Sequence, residues 1–470
     1  MPGKTILLLS VFPILLAGED WLQFRGPNAS AVSADTGLPV EFGRDQNMLW
    51  RTPLPPGQSS PVVAGGHIFL TAVDNEKLFT FCLERSTGRS EWRREVPRPR
   101  RGKLHQMNGP ASPTPVSDGR NVYAFFYDFG LIAFGPDGNE LWRLPLGPFN
   151  NPFGMAASPV LANGTLVQVC DGETDSFVIA LDAATGKVKW RKERPGATRG
   201  FSTPLIYRPD NAPVQALVAG SYKVTSYSVE SGEELWFVGG LTWQLKPTPV
   251  MSKDTIYVLG WAGGSDPGQQ ANVLPFEEVL KRLDRNHDGK LSKEEIDDPN
   301  ILKDWAETDL DVSGYLEAAD WAAYRNKRAA QNGFTAFRLG GKGDMTGTNF
   351  LWRYTRSLPN ATSPLLYQNV LYLIKDGGIL TSLDPRTGQP LKQARIAGAI
   401  GSYYSSPVGA DGKIYTLSED GKVAVLKAGA EWELLHVNDL GEEGYASPAI
   451  ADGRIYLRTQ SALYCFAKKD

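Results

Sequence analysis

Along most of the chain, short runs rich in Val, Ile, Tyr and Phe are punctuated by Gly, Pro, Asn and Asp, the pattern of many strands joined by tight turns. One of these signals is periodic. A Ser/Thr-Pro step followed by apolar residues recurs at Ser60-Pro61, Thr114-Pro115, Ser158-Pro159, Thr203-Pro204, Thr248-Pro249, Ser363-Pro364, Ser406-Pro407 and Ser447-Pro448. The prolines lie 54, 44, 45, 45, 115, 43 and 41 residues apart. Eight units of about 45 residues therefore fit, with an insert of about 70 in the fifth.

Each unit predicts four short antiparallel strands. After the Ser/Thr-Pro strand comes a β-branched and aromatic run such as HIFLTA or TIYVLG, then a third strand that sets a small residue before a large one. The small positions read Cys82, Ala133, Ala180, Ser226, Ala336, Ser382, Val425 and Cys465, as interdigitating sheet faces require. A Gly-containing turn then leads to a fourth strand beginning at Trp92, Trp142, Trp190, Trp236, Trp352 and Trp432, with Lys392 in that place in unit six. Trp50, in MLWRTPL, precedes the first unit, while the eighth unit stops after its third strand. The N-terminus thus supplies the missing strand, and ring closure removes exposed edges. The expected fold is all-β: an eight-bladed β-propeller of four-stranded antiparallel blades, closed by an N-terminal strand, with a small α-helical insertion in blade five.

Composition agrees. Gly and Pro together make 82 of 470 residues, more than average usage, as a turn-rich β fold needs. A formal net charge of -3 writes in no general attraction to nucleic acid. Three scattered cysteines, Cys82, Cys170 and Cys465, make no disulfide framework, and Cys82 and Cys465 read as small packed side chains. Residues 1–18 carry one Lys, an apolar run from Thr5 to Ala17 and then small residues. They read as a secretory signal peptide, too short and too proline-broken to span a bilayer. With no cysteine after that run, a lipid anchor has no attachment point. A periplasmic or secreted protein without a membrane span is expected. The predicted organisation is a signal peptide at 1–18, propeller blades at 19–262, an insertion at 263–333 and the remaining blades at 334–470.

The copy IALDAATGKVKW, with Leu-Asp before Thr-Gly and Trp four residues after the Gly, resembles the PQQ-like propeller repeat. Quinoprotein alcohol dehydrogenases and BamB, the outer-membrane assembly lipoprotein, share that repeat. WLQFRGP, NGPASPTPVSDG, NNPFGMAASPVL and RGFSTPLIY resemble exported PQQ-like propellers abundant in planctomycetes and acidobacteria. The resemblance to the dehydrogenases implies a quinone in the central channel, stacked on a Trp and capped by a disulfide between adjacent cysteines, with a calcium and a catalytic carboxylate beside it. No adjacent cysteine pair exists here.

The insert names a ligand more directly. Residues 275–330 hold 14 acidic and 9 basic side chains, concentrated in two twelve-residue loops. Calcium takes six to eight oxygens, which an EF-hand loop supplies from positions 1, 3, 5, 7, 9 and 12. In DRNHDGKLSKEE these are Asp284, Asn286, Asp288, the Lys290 carbonyl, Ser292 and Glu295, with Gly289 at position 6. In DLDVSGYLEAAD they are Asp309, Asp311, Ser313, the Tyr315 carbonyl, Glu317 and Asp320, with Gly314 at position 6. Asp320 is shorter than the usual glutamate, so weaker binding is expected at the second loop. Leu291 and Leu316 share position 8, where paired loops join through a β-bridge. Phe276, Val279, Leu280 and Leu283 form the apolar face of an entering helix.

No nucleophile or histidine-pair motif emerges from His67, His105, His287 and His436. Asp171, Asp376 and Asp420 read as turn formers, and the basic run WRREVPRPRRGK as an extended, solvated connector. Two functions stand open on these residues. One is a non-enzymatic, calcium-binding platform for a protein or polysaccharide partner in the cell envelope. The other is a PQQ-dependent oxidoreductase with a diverged site.

Overall fold

The computed structural model describes residues 20–469, and the expected signal peptide lies outside them. Eight antiparallel sheets follow one another around a ring. Blade one comprises Val62–Ala64, His67–Asp74, Lys77–Glu84 and Ser90–Val96, and blades two to four repeat that order. Blade eight pairs Ala449–Ala451, Arg454–Arg458 and Ala462–Phe466 with Met48–Pro53, so the N-terminal strand closes the ring as expected. The insert leaves blade five between its second strand, Thr255–Gly260, and its third, Gly333–Arg338.

Neighbouring blades are held by three repeated contacts, and the first explains why Ser or Thr precedes each proline. The backbone N–H of that residue donates to the hydroxyl of its counterpart one blade on. The series runs Ser60 to Thr114 (2.9 Å), Thr114 to Ser158 (2.9 Å) and Ser158 to Thr203 (3.0 Å). It continues Thr248 to Ser363 (3.0 Å), Ser363 to Ser406 (3.0 Å) and Ser406 to Ser447 (2.9 Å), and Ser447 returns to Ser60 (3.0 Å). Seven hydroxyl clasps thus line the channel at the inner strands, at every junction but that between blades four and five. Without them these buried N–H groups would lack partners, at about 1–3 kcal/mol each.

In the second contact, a fourth-strand Trp covers the turn glycine of the next blade. A Cβ on Gly186 would lie 2.5 Å from Trp142, and one on Gly232 would lie 2.6 Å from Trp190. Both glycines have positive φ, so another residue would be strained as well as blocked. The indole N–H groups of Trp142 and Trp190 donate to Ala183 and Val229 carbonyls at 2.8 and 2.9 Å. The third contact is apolar: side chains of adjacent blades pack together, as Tyr123, Ala133 and Trp142 of blade two do with Leu166, Ile179 and Leu181 of blade three. Within each of these blades the small third-strand position pairs with the tryptophan, Ala133 with Trp142 and Ala180 with Trp190.

The register corrects one member of the tryptophan series. In blade seven Val425 pairs with His436, and Trp432 stands before the strand Glu433–Asp439 instead of in the docked position. Trp432 serves the preceding junction, where the Lys392 ammonium lies 4.4 Å from its ring centroid and donates to its carbonyl at 2.6 Å. A cation over an aromatic face replaces Trp over glycine there. Blade four departs too: Gly343–Asp344, from the long turn of blade five, adds a fifth, parallel strand beside Trp236 and Phe237.

Residues 20–47 form a strap across the lower end of the channel, the end bearing the first-to-second strand turns. Trp21 bridges Val63 of blade one, Asn28 accepts from Ile206 N–H of blade four at 3.2 Å, and Val32 bridges Gly409 of blade seven. Arg25, fully buried, donates to the Pro364 carbonyl of blade six at 2.5 Å. Its burial without a carboxylate pushes the guanidinium down to about 9. The WLQFRGP motif is thus the floor of the channel.

Candidate functional site

Antiparallel order sends the second-to-third strand loops and the blade-to-blade connections to one face, here called upper. The channel opens there as a cavity of about 490 Å³. Its walls are the eight clasp residues, its floor includes Phe24, and its rim carries His105, Phe153, Lys246, Asn360, Tyr404 and Tyr445. Among the described residues lining it there is no carboxylate. Lys246 donates to Asn360 Oδ1 at 2.6 Å, and burial alone lowers its ammonium to about 8.

The loops around this mouth are fixed by acids at the ends of second strands. Asp171, expected only to form a turn, makes a bidentate buried pair with Arg194 at 2.8 and 3.1 Å, and the Tyr227 hydroxyl meets the same guanidinium at 3.0 Å. Asp128 holds Arg98 at 2.8 Å and Glu173 holds Arg199, whose guanidinium stacks 5.0 Å from the Phe153 ring centroid. Burial raises the Glu173 carboxyl despite Arg199. The basic run between blades one and two is accordingly tied down and not a solvated connector. Arg93 pairs with Asp74, Arg94 donates to the Gly138 carbonyl, Arg98 reaches Asp128, and Arg100 donates to the Leu146 carbonyl. Asp376 accepts from Tyr403 N–H at 2.8 Å, and Asp420 accepts from the Ser418 hydroxyl, both within loops.

The insert sits on the same face. Its helices are α1 (Phe276–Leu283), α2 (Pro299–Lys303), α3 (Trp305–Thr308) and α4 (Ala318–Ala329), around a small core of Phe276, Val279, Ile301, Trp305 and Trp321. Leu291 and Leu316 exchange backbone hydrogen bonds at 3.1 and 2.8 Å, so the two loops pair through their position-8 residues as expected. The two backbones match: His287 and Val312 have φ of 60° and 59°, and Gly289 and Gly314 have φ of 80° and 88°.

The predicted ligand residues are brought together more closely in the second loop than in the first. In the first, Glu295 folds back over the loop and accepts from Arg285 N–H at 2.8 Å and from Ser292 N–H and hydroxyl at 3.0 and 2.9 Å. Those bonds, from Ser292 and then Arg285, pull its carboxyl down to about 2. Asp284 accepts from Gly289 N–H through Oδ2, while its buried Oδ1 has no donor. Asn286 and Asp288 bond each other at 3.0 Å, and Lys290 pairs through its ammonium with Glu317 of the other loop. In the second loop, Asp320 occupies the role of Glu295, accepting from Leu310 N–H at 3.0 Å, and also caps α4 through Glu317 N–H at 3.0 Å. One oxygen each of Asp309, Asp311 and Asp320 lies within 4.8 Å of the others. Burial first, then Asp311 and Asp309, raises the Asp320 carboxyl. Ser313 donates to the Tyr315 carbonyl at 3.1 Å.

What the sequence pattern could not reveal is that this insert touches the channel rim. Asn150 donates to the Leu310 carbonyl at 3.1 Å, the Tyr222 hydroxyl donates to the Ala323 carbonyl at 3.2 Å, and the Lys327 ammonium lies 4.7 Å from the Trp243 ring centroid. Arg199 stands 5.5 Å from the same indole and 5.0 Å from Phe153, which lines the cavity.

Comparison with known proteins agrees with this architecture. A family model described as outer membrane protein assembly factor BamB matches residues 28–151, 128–264 and 328–470, leaving 265–327, most of the insert, unmatched. The outer membrane protein assembly factor BamB of Burkholderia pseudomallei is 24% identical over 356 residues, 68% of this chain and 82% of that protein. Among solved structures, BamB from Moraxella catarrhalis superposes with a TM-score of 0.55 at 12% identity, covering 90% of this chain and 99% of that one. A europium-containing methanol dehydrogenase gives 0.60 at 9% identity (96% and 98% covered), and the quinohemoprotein alcohol dehydrogenase of Comamonas testosteroni gives 0.60 at 12% (96% and 81%). At such identities the structural likenesses speak for the fold alone. The family match spans most of the chain on either side of the insert: the protein belongs to the BamB-type PQQ-repeat propeller family.

Proposed function

We propose that the protein is a calcium-binding, non-enzymatic platform of the cell envelope, and that its upper face is the binding face. The observation that carries this reading is the placement of the acidic insert against the channel rim, so that one surface presents both an aromatic, amide-rich cavity and a pair of cation loops. Kinship with an outer membrane protein assembly factor supports an envelope protein that docks protein partners, and a polysaccharide is the other partner this face could take. No helix among the described residues is long and apolar enough to cross a membrane. The residues fit calcium: the oxygen-only donor set of Asp284, Asn286, Asp288, Lys290, Ser292 and Glu295, with a donorless buried oxygen on Asp284, suits a hard cation. The second set, Asp309, Asp311, Ser313, Tyr315, Glu317 and Asp320, gathers three carboxylates whose mutual repulsion a divalent ion relieves. Bound calcium would supply fixed positive charge, and these side chains would hold the two loops and their helices in one arrangement.

Calorimetric titration of the full chain with calcium tests the metal claim. Two classes of site are expected, the tighter one lost in Glu295→Ala; identical isotherms for the two proteins would remove it. Addition of PQQ with calcium, followed by a dye-reduction assay with alcohols, tests the platform claim. Turnover there would replace the platform with an oxidoreductase. The cavity lining without a carboxylate is the reason to expect none.

A further inference from the structure

The lower corner of blade one brings three positions together: the residue opening the second strand, the small residue of the third, and the bulged residue of the fourth. In blade one the ladder runs Cys82 to Trp92 and then Leu83 to Ser90, so Glu91 is the extra residue of a bulge, a device that re-aims a side chain. His67 opens the second strand next to Ala64. The result is a compact trio. Cys82 Sγ lies 3.5 Å from His67 Nδ1 and 3.4 Å from a Glu91 carboxylate oxygen, and that oxygen lies 2.7 Å from Nδ1.

Neither the fold nor the repeat requires these residue types. The corresponding corner of blade three holds Thr165, Ala180 and Lys189, and there the lysine ammonium donates to the threonine hydroxyl at 2.8 Å, which shows that the corner positions meet in a second blade. Blade eight has a cysteine at the same place, Cys465, but sets it among Arg454 and Leu49. Blade one alone of these three corners combines a thiol, an imidazole and a carboxylate.

We propose that His67, Cys82 and Glu91 form a zinc site on the lower rim of blade one, with a fourth position open to water. Sulfur, nitrogen and oxygen in this combination suit zinc, and bonds of about 2.3 Å to sulfur and about 2.0–2.1 Å to nitrogen or oxygen at tetrahedral angles put the donors about 3.4–3.6 Å apart. Both separations from sulfur already match. Only the His67–Glu91 contact must open, by about 0.6 Å on the same geometry, and both side chains have freedom to do so, being 32% and 28% exposed. Cys82 is buried and supplies its sulfur from the blade interior, while the other two face the solvent from which the ion arrives. On binding, the Cys82 thiol gives its proton to water as the Zn–S bond forms. His67 takes the Nε2–H tautomer, leaving the Nδ1 lone pair for the metal. Without a metal, burial and the hydrogen bond to Glu91 hold this thiol protonated. The ion supplies the charge that the thiolate needs.

The site is tested on the full chain, stripped of metal and then saturated with calcium so that the insert loops are filled. Cobalt is titrated as the spectroscopic surrogate of zinc. The expected result is one equivalent of a thiolate-to-cobalt charge-transfer band, bleached by zinc, retained in Cys465→Ser and lost in Cys82→Ser. Carboxylate loops cannot produce that band. His67→Gln, at a part-exposed position that the blade does not need for packing, should weaken cobalt binding by at least about tenfold, the lower bound seen even for outer-sphere partners of a metal. No band in the wild type, a band surviving Cys82→Ser, or unchanged affinity in His67→Gln would overturn the proposal.

Discussion

The propeller and its insert are built on opposite plans. Around the ring, cohesion comes from neutral, repeated contacts: hydroxyl clasps at the channel, indoles over glycines, small residues under large ones. In the insert a small apolar core carries two acidic loops, and in the second of them three carboxylates crowd together. One part is stable because like units satisfy each other, while the other keeps unsatisfied charge that an added ion can complete. On the proposed calcium binding, the difference teaches where an ion would matter: in the insert, whose crowded carboxylates it would relieve, and not in the ring of neutral contacts.

The hardest blow to the ring is Trp190→Ala. It removes the cover of Gly232 and the bond to the Val229 carbonyl and should cost about 3–5 kcal/mol in chemical unfolding. Calcium titration of the insert should stay unchanged in that variant at temperatures where the ring is folded. Parallel loss of both would show that the two parts are one cooperative unit. Chelation is the converse test. Calcium at about a hundred times its dissociation constant should add about 2.7 kcal/mol to the insert. Hydrogen exchange should then slow at α1 and α4 and stay constant in the blades.

How much of this was legible beforehand follows from what is local. The Ser/Thr-Pro step, the turn glycine and the loop positions from Asp284 to Asp320 are short-range patterns, so the blades, the closing strand and the paired Leu291 and Leu316 could be anticipated. The hydroxyl clasp could not, because its donor and acceptor lie 41 to 115 residues apart at the interior junctions and its meaning emerges only when blades stand side by side. The same holds for Asp171 with Arg194 and for His67 with Cys82 and Glu91, which single-strand periodicity scatters. Trp432 misleads because it follows the turn where the other units place their docked tryptophan, while blade seven reaches that position with His436.

A smaller effect sharpens the contrast at the channel mouth. The unfolded chain holds the Lys246 proton up to about 10.4, the folded chain only to about 8. Between those values the unfolded state binds more protons, so this residue makes stability rise with pH across that window and contributes no such slope below it. Lys246→Met should remove the rise, measured as the wild-type-minus-variant difference in urea midpoint between pH 7 and 10. A flat difference would show that the amine is solvated. Smallest is Thr114→Val, which keeps the volume and deletes one hydroxyl clasp. It leaves the Ser60 N–H without a partner and should cost about 1–3 kcal/mol, toward the lower end if water enters the cavity wall, with the insert unaffected.

The strap and closing strand also set an order in time. Arg51 meets Tyr464 across 413 residues and Phe42 meets Asn438 across 396, so the first described part of the chain to be made is the last to find its place. Contacts of such sequence separation slow folding. Until Ala462–Phe466 exists, Met48–Pro53 has no partner strand and the first seven blades form an open arc with two raw edges. On the proposed export that delay would be an asset: the ring would stay unlocked while the chain is in transit, with Ala462–Phe466 as the latch.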